Sequence, residues 1–197
     1  MWLAYFALHS LLASRSAKSQ VAARWPVAAR RYRLAYNVLA LLALLPIGAW
    51  LLLHPGPVYW VWRGAAAWVA NGLALLAVLG FQLSSRHYDM QSFLGLRPES
   101  PTAAGRLCIS PWHRYVRHPW YSLGLVIIWT RDMNAAMLVS ALCMSAYFVV
   151  GSRWEEAKLI DEFGDRYRRY RERVPGLLPW PGKRLSEAEA RRLRDGG

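Results

Sequence analysis

The chain has 197 residues, 55% of them hydrophobic, and a formal net charge of +13. Its apolar residues gather in long blocks with the charges between them, which excludes an ordinary soluble core and indicates a membrane protein. Most basic residues flank those blocks and no nucleic-acid motif occurs, so anionic lipid headgroups account for the charge better than DNA or RNA.

The first block, residues 1–13, lacks a basic leader and reads as a short membrane helix rather than a cleaved signal. His9 lies within it and reads as a packing or interface residue rather than a ligand. Residues 34–53, LAYNVLALLALLPIGAWLLL, reach roughly 30 Å as a helix, the hydrocarbon thickness of a bilayer. Pro46 and Gly48 predict a kink there, and His54 ends the run. A third helix is expected over 66–83, with Asn71 packing between helices. A polar stretch, 84–118, follows. Its His87 and Asp89 read as a helix exit, with lining of an acceptor site as the less favoured role.

Two shorter apolar runs, 119–130 and 134–150, flank RDMN and predict a helical hairpin with a tight turn. Beyond residue 151, Glu156, Ile160, Phe163, Tyr167, Tyr170 and Val174 recur every three or four positions. That spacing forms one stripe on an amphipathic surface helix, with Gly164 as a bend or break. The end, LSEAEARRLRDGG, has Ser186 and Glu189 at capping-box spacing and is expected as a short surface helix or a disordered tail. Cys108 and Cys143 sit in settings too different for a disulfide, and the chain lacks metal-ligand spacing.

The expected fold is therefore all-α: a polytopic membrane protein of about five transmembrane helices, ending in the hairpin and a cytoplasmic helical tail. The whole chain, 1–197, reads as one membrane domain. Residues 1–83 supply three helices, 84–182 the chemistry-bearing half, and 183–197 a surface tail. If five helices alternate, 23 of the 25 Lys and Arg fall on one side. That side is expected to be cytoplasmic, with the N-terminus outside. Trp60, Trp62 and Trp68 suit the outer interface, and Trp112 and Trp120 the inner one.

The two polar segments, 84–118 and 151–182, are then neighbours, and RYVRHPWYSLGLVI (114–127) enters the membrane between them. Pro119 fits the first turn of a helix. Arg117 and His118 ahead of it read either as a headgroup anchor or as part of a site that receives an anion at the helix start. Glu155 and Glu156 lie just beyond the last apolar run, solvated or facing a cationic ligand.

RYVRHPWYSLG followed by EEAKLIDEFGDRYRRYRERVPGLLPWP resembles the C-terminal half of the isoprenylcysteine carboxyl methyltransferase superfamily. These are membrane enzymes whose pattern runs RHPxY, hairpin, Glu pair, FGxxY, Tyr and Leu-Pro. LHSLLAS and YRLAYN in the N-terminal half resemble NnrU-type membrane proteins and methanethiol S-methyltransferases. YDMQSFLGLRP is similar to the latter. The resemblance implies an integral membrane methyltransferase using S-adenosyl-L-methionine and acting on a thiol or carboxylate of a small or lipophilic acceptor. It implies cofactor contacts from Gly105, Arg106, Leu107, Cys108, His113, His118, Pro119, Tyr121 and Glu155, with no catalytic residue assigned. Pro111 and His113 stand where relatives carry Gly and Tyr. Gly151 stands where the eukaryotic enzymes carry a substrate-binding Arg, which argues against prenylcysteine. A non-catalytic NnrU-type protein or transporter and a membrane NADPH-dependent reductase are the alternative classes.

Overall fold

The computed structural model describes residues 1–29, 31–97 and 107–195. The chain is predominantly helical and divides into two compact units.

The first unit draws on Met1–Val61, Tyr88–Ser100 and Asp132–Cys143. Helix α1 (Trp2–Ala13) gives way at Ser14, whose side chain accepts from the Ala17 N–H and starts α2 (Arg15–Arg24). A short turn, α3 (Pro26–Ala29), leads into α4 (Tyr32–Leu53). Helix α4 continues through Pro46. Tyr side chains lash α4 to α1: Tyr32 donates to the Leu12 carbonyl at 2.7 Å, and Tyr36 meets His9 at 2.8 Å.

Strand β1 (Val58–Trp60) pairs antiparallel with β2 (Met133–Asn134). The RDMN connection therefore does not simply turn. Its second half becomes a strand, and the Ala135 and Ala136 N–H groups go on to bond the Pro57 and Pro55 carbonyls. This pairing departs from the all-α expectation. Asn134 then accepts from the Met137 N–H at 2.8 Å and opens α8 (Ala135–Phe163).

The short helix α6 (Met90–Leu94) is capped by Asp89, which accepts from the Gln91 and Ser92 N–H groups. Arg33 and Asn37 of α4 donate to the carbonyls of Ser92 and Phe93. Gly95 closes α6 at φ +81°, and any side chain there would meet the backbone of Arg33 and Leu34.

The second unit draws on Trp62–His87, Pro101–Arg131 and Met144–Gly197. Helix α5 (Gly64–Ser85) buries a stripe of small residues: Ala70, Ala74, Ala77, Gly80 and Ser84. Small side chains let a neighbouring helix approach closely. Here α7 (Pro119–Trp129) does so, with Leu123 against Gly80 and the Trp120 indole N–H on the Ser84 hydroxyl.

The later part of α8 does not stop where its apolar run ends at residue 150. It runs on through Gly151 to Phe163 and ends at Gly164 (φ +56°). Helix α9 (Asp165–Arg173) follows. Helix α10 (Glu187–Asp195) starts on the expected capping box, Ser186 N–H to Glu189 at 2.8 Å and Glu189 N–H back to Ser186 at 3.2 Å. Its Ala190 and Leu193 are buried with Leu107, Ile109, Tyr167, Tyr170, Val174 and Leu185 in one apolar cluster. The tail is thus an ordered part of a small core.

Among the described residues, three helices, α4, α5 and α8, are long and apolar enough to cross a membrane. Helices α1 and α7 are apolar but have 12 and 11 residues, against the ~20 of a full span. Of the five expected spans, three meet the length requirement.

Candidate functional site

Pro119 occupies the first turn of α7, and His118 is its N-cap residue. The segment ahead of the helix is held by the tail. Arg117 and His118 donate their backbone N–H groups to the carbonyls of Pro175 and Gly176, at 2.9 and 3.1 Å. Ser122 donates its hydroxyl to the Leu177 carbonyl. The VPGLLP stretch therefore runs along the start of α7.

The Arg117 side chain turns inward. Its Nε and Nη2 both lie 2.7 Å from Glu156 Oε1, and Nη1 donates to the carbonyls of Arg171 and Val174. Such a guanidinium is a structural clamp rather than a headgroup anchor.

His118 sits between the two carboxylates. Its Nε2 is 3.0 Å from Glu156 and its Nδ1 is 3.3 Å from Glu155, with 4% of the His side chain exposed. Burial alone would lower its pKa, but hydrogen bonds and charge from Glu155 and Glu156 outweigh burial and raise it above the ordinary histidine value. The two glutamates differ sharply. Glu156 is 10% exposed and tied to both Arg117 and His118, whereas Glu155 is 51% exposed. Tyr121 directs its hydroxyl to Glu155 at 3.5 Å.

The rings of His118, Tyr121 and Phe148 stack nearly parallel, at 5.5 and 5.0 Å between centroids. Gly124 eases this packing, because a side chain there would begin 3.2 Å from the Phe148 ring.

His113 lies in a single turn of 3-10 helix, Trp112–Arg114. The Ser110 N–H and hydroxyl both approach its Nδ1, at 3.3 and 2.8 Å. A backbone N–H can only donate, so Nδ1 is the bare nitrogen and the neutral ring carries its proton on Nε2. Burial pushes its pKa down to about 4, with the charge of His118 adding to the effect. Tyr170 donates to the His113 carbonyl at 2.7 Å, and Arg114 exchanges hydrogen bonds with Leu185. Burial raises the Tyr167 hydroxyl well above the usual tyrosine value, and the Glu156 charge adds to that.

The structure thus brings His118, Pro119, Tyr121 and Glu155 together. His113 belongs to the loop leading into them. Leu107 is buried in the apolar cluster and Cys108 is exposed. Gly105 and Arg106 lie outside the described residues. Asp89 serves as the cap of α6. Sequence reasoning did not assign Arg117 its partner or include Ser110 and the 174–177 strap. Glu156 is 39 positions from Arg117, and no local pattern links them.

No family model matches the chain, and no solved structure matches it. It is similar to methanethiol S-methyltransferase 2 of Bradyrhizobium diazoefficiens, 35% identical over 87% of this chain and 68% of that protein. Methanethiol S-methyltransferase 1 of the same organism is 34% identical over 58% of this chain and 39% of its own length. The methanethiol S-methyltransferase of Mycobacterium tuberculosis is 32% identical over 62% of this chain and 58% of its own. The chain thus spans from about two-fifths to two-thirds of the length of these relatives.

Proposed function

The chain belongs to the methanethiol S-methyltransferase family, and on that premise we propose that it is a membrane enzyme transferring a methyl group from S-adenosylmethionine to a small thiol. The names of the relatives favour a thiol over a carboxylate, and methyl transfer over the reductase and non-catalytic alternatives.

The observation that carries the reading is the split of the glutamate pair. Glu156 is neutralised by Arg117, and His118 bridges it to Glu155, whose carboxylate reaches solvent at the N-terminal end of α7. A half-exposed carboxylate beside a helix start offers an anion to an ammonium and a positive dipole end to a carboxylate. That is the donor set an amino-acid moiety requires.

When bound, S-adenosylmethionine supplies an electrophilic methyl on a sulfonium. Glu155 would hold its ammonium, and His118 with the first turn of α7 its carboxylate. The Tyr121–Phe148 stack would form a dry aromatic wall, where a cationic sulfur is favoured over bulk water. A thiol acceptor would have to shed its proton before it could react. His118, with both ring nitrogens engaged by Glu155 and Glu156, and His113, with Nδ1 facing Ser110 and a low pKa, are poorly placed to take it. The chain's contribution is therefore alignment and electrostatics, with the reacting species being thiolate delivered from solution.

The basic segments 14–33, 84–118 and 151–197 are proposed to face the cytoplasm, with α4, α5 and α8 crossing the membrane. The β1–β2 pairing supports this, since it holds the C-terminal end of α4 and the start of α8 together.

The test is methyl transfer by purified protein to methanethiol, with dimethyl sulfide as the readout and calorimetry for the cofactor and its demethylated product. Glu155→Gln should weaken cofactor binding about 10- to 100-fold, the range for a charge-assisted hydrogen bond. Wild type that binds neither compound, or a variant that binds both unchanged, overturns the site.

A further inference from the structure

The connection between α1 and α4 plays no part in the proposed reaction, yet it is the most one-sided segment of the chain. Residues 14–33 hold six Lys and Arg and no Asp or Glu. Its described residues are folded. The Trp25 N–H closes α2 on the Val21 carbonyl at 2.8 Å, and its carbonyl accepts from Ala29 at 3.0 Å. The Arg31 N–H bonds the Ala28 carbonyl at 3.0 Å. This turn brings Arg24, Trp25, Val27 and Arg31 around one cavity of about 770 Å³.

Two features fix what that cavity faces. Trp25 is 59% exposed and Val27 84%, a poor arrangement in water. Both lie a few residues before Tyr32, which begins a 22-residue apolar helix and is lashed to Leu12 of α1. The turn is thus held at the bilayer interface, where an indole and a valine reach acyl chain while guanidinium groups meet phosphates. A zwitterionic headgroup brings its own cation and gains little there. An anionic one gains from both arginines and from the absence of any neighbouring carboxylate in the segment.

We propose that this turn is a binding site for an anionic phospholipid, with Arg24 and Arg31 gripping the phosphodiester and Trp25 and Val27 packing on the glycerol and upper acyl chain.

Native mass spectrometry of the full chain, with phosphatidylglycerol or phosphatidylcholine added in detergent, tests it. Wild type should retain one phosphatidylglycerol well above phosphatidylcholine. R24Q/R31Q should lower that retention about 10- to 30-fold, from two interfacial charges, while R24K/R31K keeps much of it. R169Q/R192Q, which removes equal charge from exposed positions elsewhere, should change nothing. Equal retention of the two lipids overturns the proposal. So does equal loss in R24Q/R31Q and R169Q/R192Q, which would mean diffuse charge. Displacement by millimolar glycerol 3-phosphate would also overturn it, since the site would then take a free phosphate ester.

Discussion

Glu156 illustrates how far neighbouring side chains can differ in role. With 10% exposure it is stable as an anion only because Arg117 and His118 sit on it. Removing one partner leaves an uncompensated buried charge. Glu156→Ala is therefore expected to cost about 3–5 kcal/mol in thermal or denaturant unfolding, by the usual range for a broken buried pair. Glu155→Ala, with a 51% exposed side chain, should change stability little and act on cofactor binding instead. Equal stability losses in the two variants would refute the division of labour. The two histidines predict opposite pH limits. His113, lowered to about 4, stays neutral in the fold, so its contribution is lost as pH falls from about 6.5 towards 4. His118, raised, contributes fully below about 6.5 and loses its share as pH rises through its folded value. Melting temperature plotted against pH should fall on both flanks. His113→Asn should flatten the acid flank alone, and an unchanged acid flank would count against the buried neutral ring.

The elements themselves were unevenly legible. Helices α4 and α5 follow from uninterrupted apolar runs and match the expected ranges to about two residues. Strands β1 and β2, three and two residues long, are too short to carry an alternating pattern, and their pairing joins segments 73 positions apart or more. The apolar run of α8 ends near residue 150 while its backbone continues to Phe163, so composition marks the membrane edge and not the helix end. The cap signals did hold: Ser186 and Glu189 open α10, and Gly164 separates α8 from α9. What no cap could reveal is that α9 and α10 brace the loop ahead of α7. Leu185 is 2% exposed and exchanges backbone and side-chain hydrogen bonds with Arg114. Leu185→Ala should cost about 2–4 kcal/mol, as for other buried leucines. It should also weaken cofactor binding by loosening the His113 loop, whereas a purely local core defect would leave calorimetric affinity unchanged. In the other unit, Gly95→Ala should cost about 2 kcal/mol or more, from left-handed strain plus contact with the Arg33–Leu34 backbone.

At the scale of the molecule, charge distribution and site geometry make one joint claim. Among the described residues, the motifs that the family resemblance singled out meet as a cluster at His118, Pro119, Tyr121 and Glu155, because α7 and α8 return the chain to the same level. The Arg117–Glu156 clamp behind them depended on tertiary proximity and was invisible to spacing. If the basic segments share one side, the proposed cofactor site at the start of α7 must lie there too, facing a pool of water-soluble cofactor. An impermeant maleimide applied to intact cells reads this directly in a background lacking both native cysteines. A cysteine replacing Arg63, one residue before α5, should label from outside, and one replacing the exposed Arg169 of α9 should label only after lysis. Arg169→Cys labelling in intact cells would invert the topology. It would also leave the site facing a compartment without a cytoplasmic cofactor supply, so the orientation and the proposed methyl transfer would fail together. Labelling at both positions only after lysis would put Arg63 and Arg169 on one side and overturn the crossing of α5 between them.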